Sequence, residues 1–159
     1  MSMFDKFDAQ VNLDEINKQK AAASENTYED VPAGDYIAKI EKMELGAAKD
    51  GRPMFKVQMR LVEGQGDKEA AFLAKYPKKK PCVFMNRVLY GTKNDGLMIA
   101  GIETWLNDIG FDEPVVFRGY GDFAQVIMDC AEACGNLELE IAYDPKAFNS
   151  ISIENVYEV

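Results

Sequence analysis

The fold is decided between Asp35 and Tyr90, where the chain reads "DYIAKIEKMEL" (35–45), "KDGRP" (49–53), "MFKVQMRLVEG" (54–64) and, after a charged segment, "PCVFMNRVLY" (81–90). The run from 54 to 64 alternates between apolar and polar residues, which is typical of a strand with one buried face. Its apolar positions are Phe55, Val57, Met59 and Leu61, and its polar positions are Lys56, Gln58 and Arg60. Asp50 and Gly51 favour a tight reversal, because glycine adopts positive φ without steric cost. The sequence therefore predicts a hairpin followed by a third strand.

The charged segment between the second and third strands reads "GQGDKEAAFLAKYPKKK" (64–80). It is too long for a hairpin turn and too charged to be buried, so we predict a long, functional loop. The segment interleaves two aromatic rings with a cluster of lysines: Phe72, Lys75, Tyr76, Lys78, Lys79 and Lys80. Flat rings beside positive charge are what an unpaired nucleic acid strand binds.

Two helices are predicted after the third strand. In "LMIAGIETWLNDIG" (97–110) apolar residues recur at spacings of three and four, and Gly110 ends the helix. Trp105, the single tryptophan, lies on the apolar stripe, so we assign it to packing. The second helix is predicted to start at a cap formed by Asp122 and to place Cys130 and Cys134 on its buried side. Alternation in "NLELEIAYD" (136–144) and in "ISIENVYEV" (151–159) predicts two final strands.

The length of 159 residues and the 47% hydrophobic content suit a single domain with a core. We place that domain at residues 32–159. Residues 1–31 are predicted to be an N-terminal arm, with a short helix over "LDEINKQKAAA" (13–23) capped by Asn12.

The predicted order is three strands, two helices and two strands, so the fold class is mainly β with α (α+β). This order matches the oligonucleotide/oligosaccharide-binding (OB) fold, a five-stranded, partly open Greek-key barrel, here with helices between strands 3 and 4. Such a barrel presents its second and third strands, with the adjoining loops, to its ligand. In this chain those are the basic parts.

The charge is unevenly distributed along the chain. The net charge is −9, yet the segment from Lys39 to Lys93 holds 13 Lys/Arg and 6 Asp/Glu, against 5 and 21 in the rest of the chain. Such an uneven distribution can focus a positive field on one surface of an acidic protein.

Several classes of protein are disfavoured by the composition. There is no histidine and there are three cysteines, so we expect neither a disulfide framework nor a full zinc ligand set. No nucleophile–base pair, phosphate loop or dinucleotide motif is present, so we expect no enzyme, no cofactor and no metal. No apolar run is long enough to cross a bilayer and "MSMFDKFDAQ" (1–10) lacks the pattern of a secretion signal, so we expect a cytoplasmic protein without a membrane partner.

A family resemblance rests on several of these stretches together: "YEDVPAGDYIAKIEKMEL" (28–45), "KDGRPMFKVQMRLVEG" (49–64), "VFMNRVL" (83–89), "GLMIAGIETWLNDIG" (96–110), "YGDFAQVIMDCAEA" (120–133) and "AFNSISIENV" (147–156). From about Leu13 to Val156 the chain resembles a bacteriophage-encoded family of small single-stranded DNA-binding proteins of the OB type, often catalogued as a domain of unknown function. The resemblance implies a protein that coats exposed DNA during replication or recombination in the bacterial cytoplasm. Several phage proteins of this function end in an acidic tail, whereas this chain ends on a predicted strand.

We predict a site for single-stranded DNA from the residue types themselves. The cations Lys56, Arg60, Lys75, Lys78, Lys79, Lys80, Arg87 and Lys93 would bind phosphates, and Phe72, Tyr76 and Tyr90 would stack on bases. The parity of the third strand does not settle whether Arg87 faces the core or the solvent.

An alternative function is an acidic DNA mimic or protein-binding module that inhibits a host DNA-processing factor. From Asn94 onward the chain has 13 acidic residues and only Arg118 and Lys146 as bases. The sequence leaves open whether copies of the chain associate, which phage or host replication proteins bind it, and whether DNA or RNA is preferred.

Overall fold

A computed structural model of the protein describes residues 29–159, of which residues 31–159 belong to one unit. Its strands are β1 (Gly34–Ala47), β2 (Pro53–Gly64), β3 (Cys82–Val88), β4 (Leu137–Asp144) and β5 (Ser150–Glu158). Its helices are α1 (Asp67–Ala74), α2 (Gly96–Ile109) and α3 (Tyr120–Ala133), and a 3₁₀ turn, Lys93–Asp95, leads into α2. The α+β class is confirmed, with two helices between β3 and β4.

The strands form one sheet in the order β3–β2–β1–β4–β5, and every neighbouring pair is antiparallel. After the two helices, β4 returns to pair with β1. Strands β3 and β5 are the edges of the sheet in the described part of the chain, and they do not pair with each other. The sheet is therefore not closed into a barrel.

The predicted β1–β2 hairpin is confirmed. Gly51 has φ of 87° in its turn, the conformation for which glycine is favoured. The Asp50 carboxylate accepts hydrogen bonds from the Arg52 backbone N–H (3.2 Å) and from Arg52 Nε (2.6 Å). These hydrogen bonds hold the guanidinium beside the turn.

The predicted loop between β2 and β3 is wrong in part, because residues 67–74 form helix α1. Phe72 and Leu73 are 7% and 3% exposed and anchor this helix in the core. Gly64 allows the close approach, since a side chain there would overlap the backbone at Glu69 and Ala70. Asp67 and Lys68 lie on the exposed side of this helix, and the lysines between residues 75 and 80 follow it.

One hydrophobic cluster joins the inner face of the sheet to all three helices. Trp105 of α2 lies in this cluster, with its ring edge-on to Phe55 at a centroid distance of 5.9 Å. The indole Nε1 donates to the backbone carbonyl of Ile151 in β5, at 2.8 Å. The assignment of Trp105 to packing is confirmed, and its hydrogen bond ties α2 to β5.

Helix α3 begins at Tyr120 and has Gly119 at its N-cap position, so the predicted cap at Asp122 is wrong. Asp122 lies instead in the first turn, where its charge favours the positive end of the helix dipole. Cys130 and Cys134 are buried as predicted, and burial raises the pKa of the Cys130 thiol to about 11 and that of Cys134 to about 12. Burial therefore makes both thiols packing groups of the core and favours their protonated form.

Among residues 29–159 no helix is both long and apolar enough to cross a membrane. Most of the predicted arm, including its helix over 13–23, lies outside the described residues. The arm and its boundary at residue 31 stay predictions.

Candidate nucleic-acid interface

The solvent side of strands β2 and β3 carries polar groups around one aromatic ring. We call Lys56, Gln58, Phe84 and Asn86 the outer β2–β3 face. Cross-strand pairing sets Lys56 opposite Asn86 and Gln58 opposite Phe84. The alternation predicted for β2 is confirmed, since its inner residues are at most 1% exposed: Phe55, Val57, Met59 and Leu61.

Phe84 is the aromatic residue that the predicted site missed. Its side chain is 49% exposed, because Val83 and Met85 on either side of it point into the core at 1% and 4% exposure. The signal in the sequence was alternation within "CVFMNRV" (82–88), which puts Phe84 in phase with Asn86. A half-exposed ring between amide groups and a lysine can stack on a base.

Lys56 is the positively charged residue of this face, and Glu44 is its cross-strand neighbour in β1. The ion pairs on the neighbouring strand and turn are Lys42–Glu44, Arg52–Asp50 and Arg60–Glu41. None of the ion pairs found among residues 29–159 involves Lys56, so its ammonium group can receive a phosphate.

Arg60 is already engaged in hydrogen bonds within the protein. Its Nε and Nη2 donate to the two carboxylate oxygens of Glu41 at 2.7 and 2.9 Å, and its Nη1 donates to the carbonyl of Lys80 at 2.7 Å. The hydrogen bond from Arg60 lowers the pKa of the Glu41 carboxyl. The structure therefore places Arg60 as a link between β1, β2 and the backbone that precedes β3.

The lysines that follow α1 reach solvent. Lys75, Lys78 and Lys79 are exposed and Lys80 is half-buried. Because Arg60 binds the carbonyl of Lys80, the end of this segment is fixed beside β2. We call residues 75–80 the lysine segment.

The two aromatic residues of this region are less accessible than the prediction requires. Phe72 is 7% exposed within the core, and Tyr76 is half-buried with its ring edge-on to Phe72 at 5.5 Å. Lys75 Nζ lies 5.8 Å from the centroid of the Phe72 ring. The structure does not present the Phe72 ring to a base, because α1 turns it inward, so Phe72 serves the core and not the binding surface.

Arg87 lies on the inner side of β3, opposite Phe55, and not with the outer β2–β3 face. Its Nη1 donates to the carbonyls of Asn86 (3.0 Å) and Phe148 (2.8 Å). Burial lowers the pKa of its guanidinium from the ordinary high value. Arg87 thus connects β3 to the turn between β4 and β5.

Tyr90 and Lys93 lie beyond the end of β3, and both are exposed, Tyr90 at 64%. The Arg52 guanidinium is stacked over the Tyr90 ring, 5.2 Å from its centroid. The sequence prediction did not include Arg52, because nothing in the sequence indicated that the turn between β1 and β2 meets Tyr90.

The backbone at Tyr90 is held by the buried Asp95. Its carboxylate accepts the N–H groups of Tyr90 and Gly91, both at 2.8 Å, and the hydroxyl of Tyr120 at 2.6 Å. These hydrogen bonds, with that of Tyr120 the strongest cause, lower the pKa of Asp95, and the same hydrogen bond raises the pKa of Tyr120. Asp95 therefore fixes the position from which the Tyr90 ring projects.

The other half of the sheet carries the opposite charge. We call Glu138, Glu140, Asn155 and Tyr157 the outer β4–β5 face. Glu140 accepts hydrogen bonds from Asn155 Nδ2 (2.8 Å) and the Tyr157 hydroxyl (2.9 Å). Nearby, burial and then the charges of Asp35 and Glu140 raise the pKa of Glu154.

Comparison with known proteins found no family model that matches this chain and no matching curated protein. The resemblance to the phage family stays a prediction from the sequence.

Proposed function

We propose that the protein binds single-stranded DNA without sequence preference, through the outer β2–β3 face and the lysine segment. The observation that carries the proposal is Phe84, a ring that is 49% exposed on the strand pair that also bears Lys56. An aromatic surface flanked by lysines is the arrangement that binds unpaired strands irrespective of base identity.

The strand order supports an open form of the OB fold. In the order β3–β2–β1–β4, the fourth strand returns to lie beside the first, which is the Greek-key arrangement. Closing the barrel would require pairing between β3 and β5. Side chains bond to the backbone near these two strands instead. Trp105 donates a hydrogen bond to the carbonyl of Ile151, and Arg87 donates to the carbonyls of Asn86 and Phe148. The OB fold is partly open in general and binds its ligands on strands 2 and 3, which agrees with the proposed site.

The proposed division of roles follows from the geometry. Lys56 and the exposed lysines of the lysine segment bind phosphates, and release of counterions from the DNA favours binding. Phe84 and Tyr90 stack on bases, with Arg52 completing the second platform. Because stacking does not depend on the base, the protein would coat exposed strands during phage replication or recombination, as the family resemblance implies.

The test is a titration of dye-labelled oligothymidine at several salt concentrations, with anisotropy as the readout. We expect affinity to fall steeply with salt. A variant with Lys75, Lys78, Lys79 and Lys80 replaced by Glu should lose at least about 100-fold in affinity at low salt, and its salt dependence should weaken by about 0.7 in slope for each phosphate that is no longer bound.

The control is the double variant Arg118→Glu and Lys146→Glu, which reverses two exposed charges outside the proposed site, half as many as the lysine variant reverses. It should bind nearly as well as the parent protein. A control that loses about half as much binding free energy as the lysine variant would show that net charge alone controls binding. Unchanged binding in the lysine variant would remove the lysine segment from the site.

The acidic outer β4–β5 face keeps one alternative open, the acidic mimic that binds a DNA-processing protein. In that case the parent protein would fail to bind oligothymidine at any salt concentration. That outcome would exclude our proposal and favour the mimic.

A further inference from the structure

The free edge of β3 lacks most of the features by which the free edge of β5 discourages pairing with another strand. Strand β5 contains a bulge at Glu154, where its register with β4 shifts, and it carries two carboxylates, Glu154 and Glu158. Helix α2 also covers its start through the hydrogen bond from Trp105 to Ile151. Bulges, charges and covering elements are the usual protection of a sheet edge.

Strand β3 has little of this protection. Its register with β2 is regular over all seven residues, and Cys82–Asn86 contains neither a charged residue nor a proline. Hydrogen bonds from Leu89 N–H to Pro53 (2.8 Å) and from Leu61 N–H to Pro81 (3.1 Å) show that the odd-numbered residues of β3 bond to β2. The even-numbered residues therefore direct their backbone N–H and C=O groups away from the sheet.

Part of this edge is already occupied. Arg87 Nη1 donates to the carbonyl of Asn86 and to that of Phe148, so the turn between β4 and β5 lies against the end of β3. Within Cys82–Asn86 the carbonyl of Asn86 already accepts from Arg87 Nη1, and a carbonyl oxygen has a second lone pair with which to accept another hydrogen bond.

Among residues 29–159 no strand pairs with the free edge of Cys82–Asn86. Its side chains on the solvent side are Phe84 and Asn86, which are exposed, and Cys82, which is half-buried. The Cys82 thiol accepts a hydrogen bond from Gln58 Nε2 (3.5 Å) and donates to a carboxylate oxygen of Glu41 (3.6 Å).

We propose that this edge pairs with the same edge of a second copy of the chain, in antiparallel register about a two-fold axis at Phe84. Phe84 then lies opposite its counterpart, and Cys82 lies opposite Asn86 of the second copy. The hydrogen bond between Arg87 and Phe148 is left intact in both copies.

A second copy fits this edge because the pairing is self-complementary. A two-fold axis satisfies the free groups of both edges at once. No like charges come to lie opposite each other, since Cys82–Asn86 carries no charged side chain. The two Phe84 rings become a cross-strand aromatic pair, which is a favourable combination. An equivalent pairing of β5 with itself would bring Glu154 and Glu158 of the two copies together.

The pairing has a geometric consequence for the outer β2–β3 face. A two-fold axis perpendicular to the sheet keeps these faces of both copies on the same side, so they form one continuous surface.

The pairing itself does not depend on DNA. Stable complexes bury about 1,200–2,000 Å² of surface in total. Five residues from each copy bury less than this, so we expect a weak dimer.

Disulfide trapping tests the register directly. In an antiparallel hydrogen-bonded pair the Cα atoms are about 5.5 Å apart, within the range of a disulfide. The full-length variant Asn86→Cys, oxidised without DNA, should therefore form a covalent dimer through native Cys82. Cys130 and Cys134 are buried and do not compete.

The control is the double variant Asn86→Cys and Cys82→Ser. The two introduced thiols would be about 13 Å apart in the proposed dimer, at about 3.3 Å per residue, and too distant to bond. We expect several-fold less covalent dimer in this control. Equal yields would indicate random collision and overturn the proposed register.

Sedimentation equilibrium tests the pairing without a cross-link. Asn86→Pro removes an N–H that points to the free edge, while Asn86→Ala removes only the side chain. The parent and Asn86→Ala should show concentration-dependent dimers, and Asn86→Pro should be monomeric with an unchanged circular dichroism spectrum. A parent protein that stays monomeric up to about millimolar concentration, above the range typical of even weak association, would overturn the proposal, whatever its affinity for DNA.

Discussion

The outer β2–β3 face and the outer β4–β5 face are built on the same sheet and over the same core, yet they differ in charge. The first has Lys56 and the exposed Phe84, and the second has Glu138 and Glu140. Inner residues of both halves are equally buried, as Phe55 and Ile141 show at 0% exposure. In each strand alternate positions therefore determine the fold, and the intervening positions are free to determine what the surface binds.

The two faces also differ in how their polar groups are satisfied. Glu140 accepts hydrogen bonds from both Asn155 and Tyr157, so the acidic face is internally bonded. Lys56 takes part in none of the ion pairs found among the described residues. A surface charge outside an ion pair can bind a ligand at a smaller cost, because no existing ion pair has to be broken.

The largest expected effect tests whether the two halves share one core. Phe55→Ala should destabilise the protein by about 3–5 kcal/mol, and Ile141→Ala by about 2–5 kcal/mol, because each leaves a cavity among fully buried side chains. Urea unfolding measures both values. If one substitution were nearly neutral, the two halves would not belong to a single cooperative core.

The next effect concerns two aromatic residues with similar exposure, Phe84 at 49% and Tyr157 at 47%. Phe84→Ala should weaken oligothymidine binding by about 1–3 kcal/mol, or about 5- to 150-fold, through lost stacking. Tyr157→Ala should leave the affinity within about 2-fold, since its hydroxyl binds Glu140 on the acidic face. Anisotropy titrations measure both, and equal losses would contradict the assignment of binding to one half.

The smallest effect is a difference in pH dependence between the two halves. Arg60 lowers the pKa of Glu41, so this carboxylate stabilises the fold above its ordinary pKa, and the contribution is lost as the pH falls. Burial and neighbouring acids raise the pKa of Glu154, so its charged form destabilises the fold at neutral pH, and the cost disappears as the pH falls through the raised pKa.

Glu41→Gln should therefore lower stability at pH 7, and Glu154→Gln should raise it, each by about 0.2–1 kcal/mol because both groups are near solvent. Both differences from the parent should shrink towards pH 3. Thermal melts of the three proteins at pH 7 and pH 3 measure this. Effects of the same sign at pH 7 would contradict the opposite environments of the two carboxyls.

Much of the fold could be predicted from residue periodicity. Alternation located β2, β4 and β5, and spacings of three and four located α2 and α3, because the buried positions of these elements repeat with a fixed period. Helix α1 was missed, since eight residues with only Phe72 and Leu73 buried give too short a pattern. The open edges of the sheet could not be predicted either, because pairing of distant strands leaves no local signal.

The candidate site was predictable to a smaller extent. Lysine exposure followed from composition, and the structure places Lys56, Lys78 and Tyr90 in contact with solvent. Arg60 and Arg87 look like phosphate ligands in the sequence, but each bonds to protein carbonyls that tertiary structure brings within reach. Phe84 was not predicted as a site residue, because the pairing of β3 with β2 decides which alternate residues of β3 face the solvent.

Because Trp105 is hydrogen-bonded to Ile151, intrinsic tryptophan fluorescence can report on the contact between α2 and β5. Trp105 is the single tryptophan, so all intrinsic indole emission originates where α2 meets β5. Separation of the two elements would expose the ring to water and shift the emission to longer wavelength. The wavelength of tryptophan emission therefore reports, without an added label, whether α2 has separated from β5.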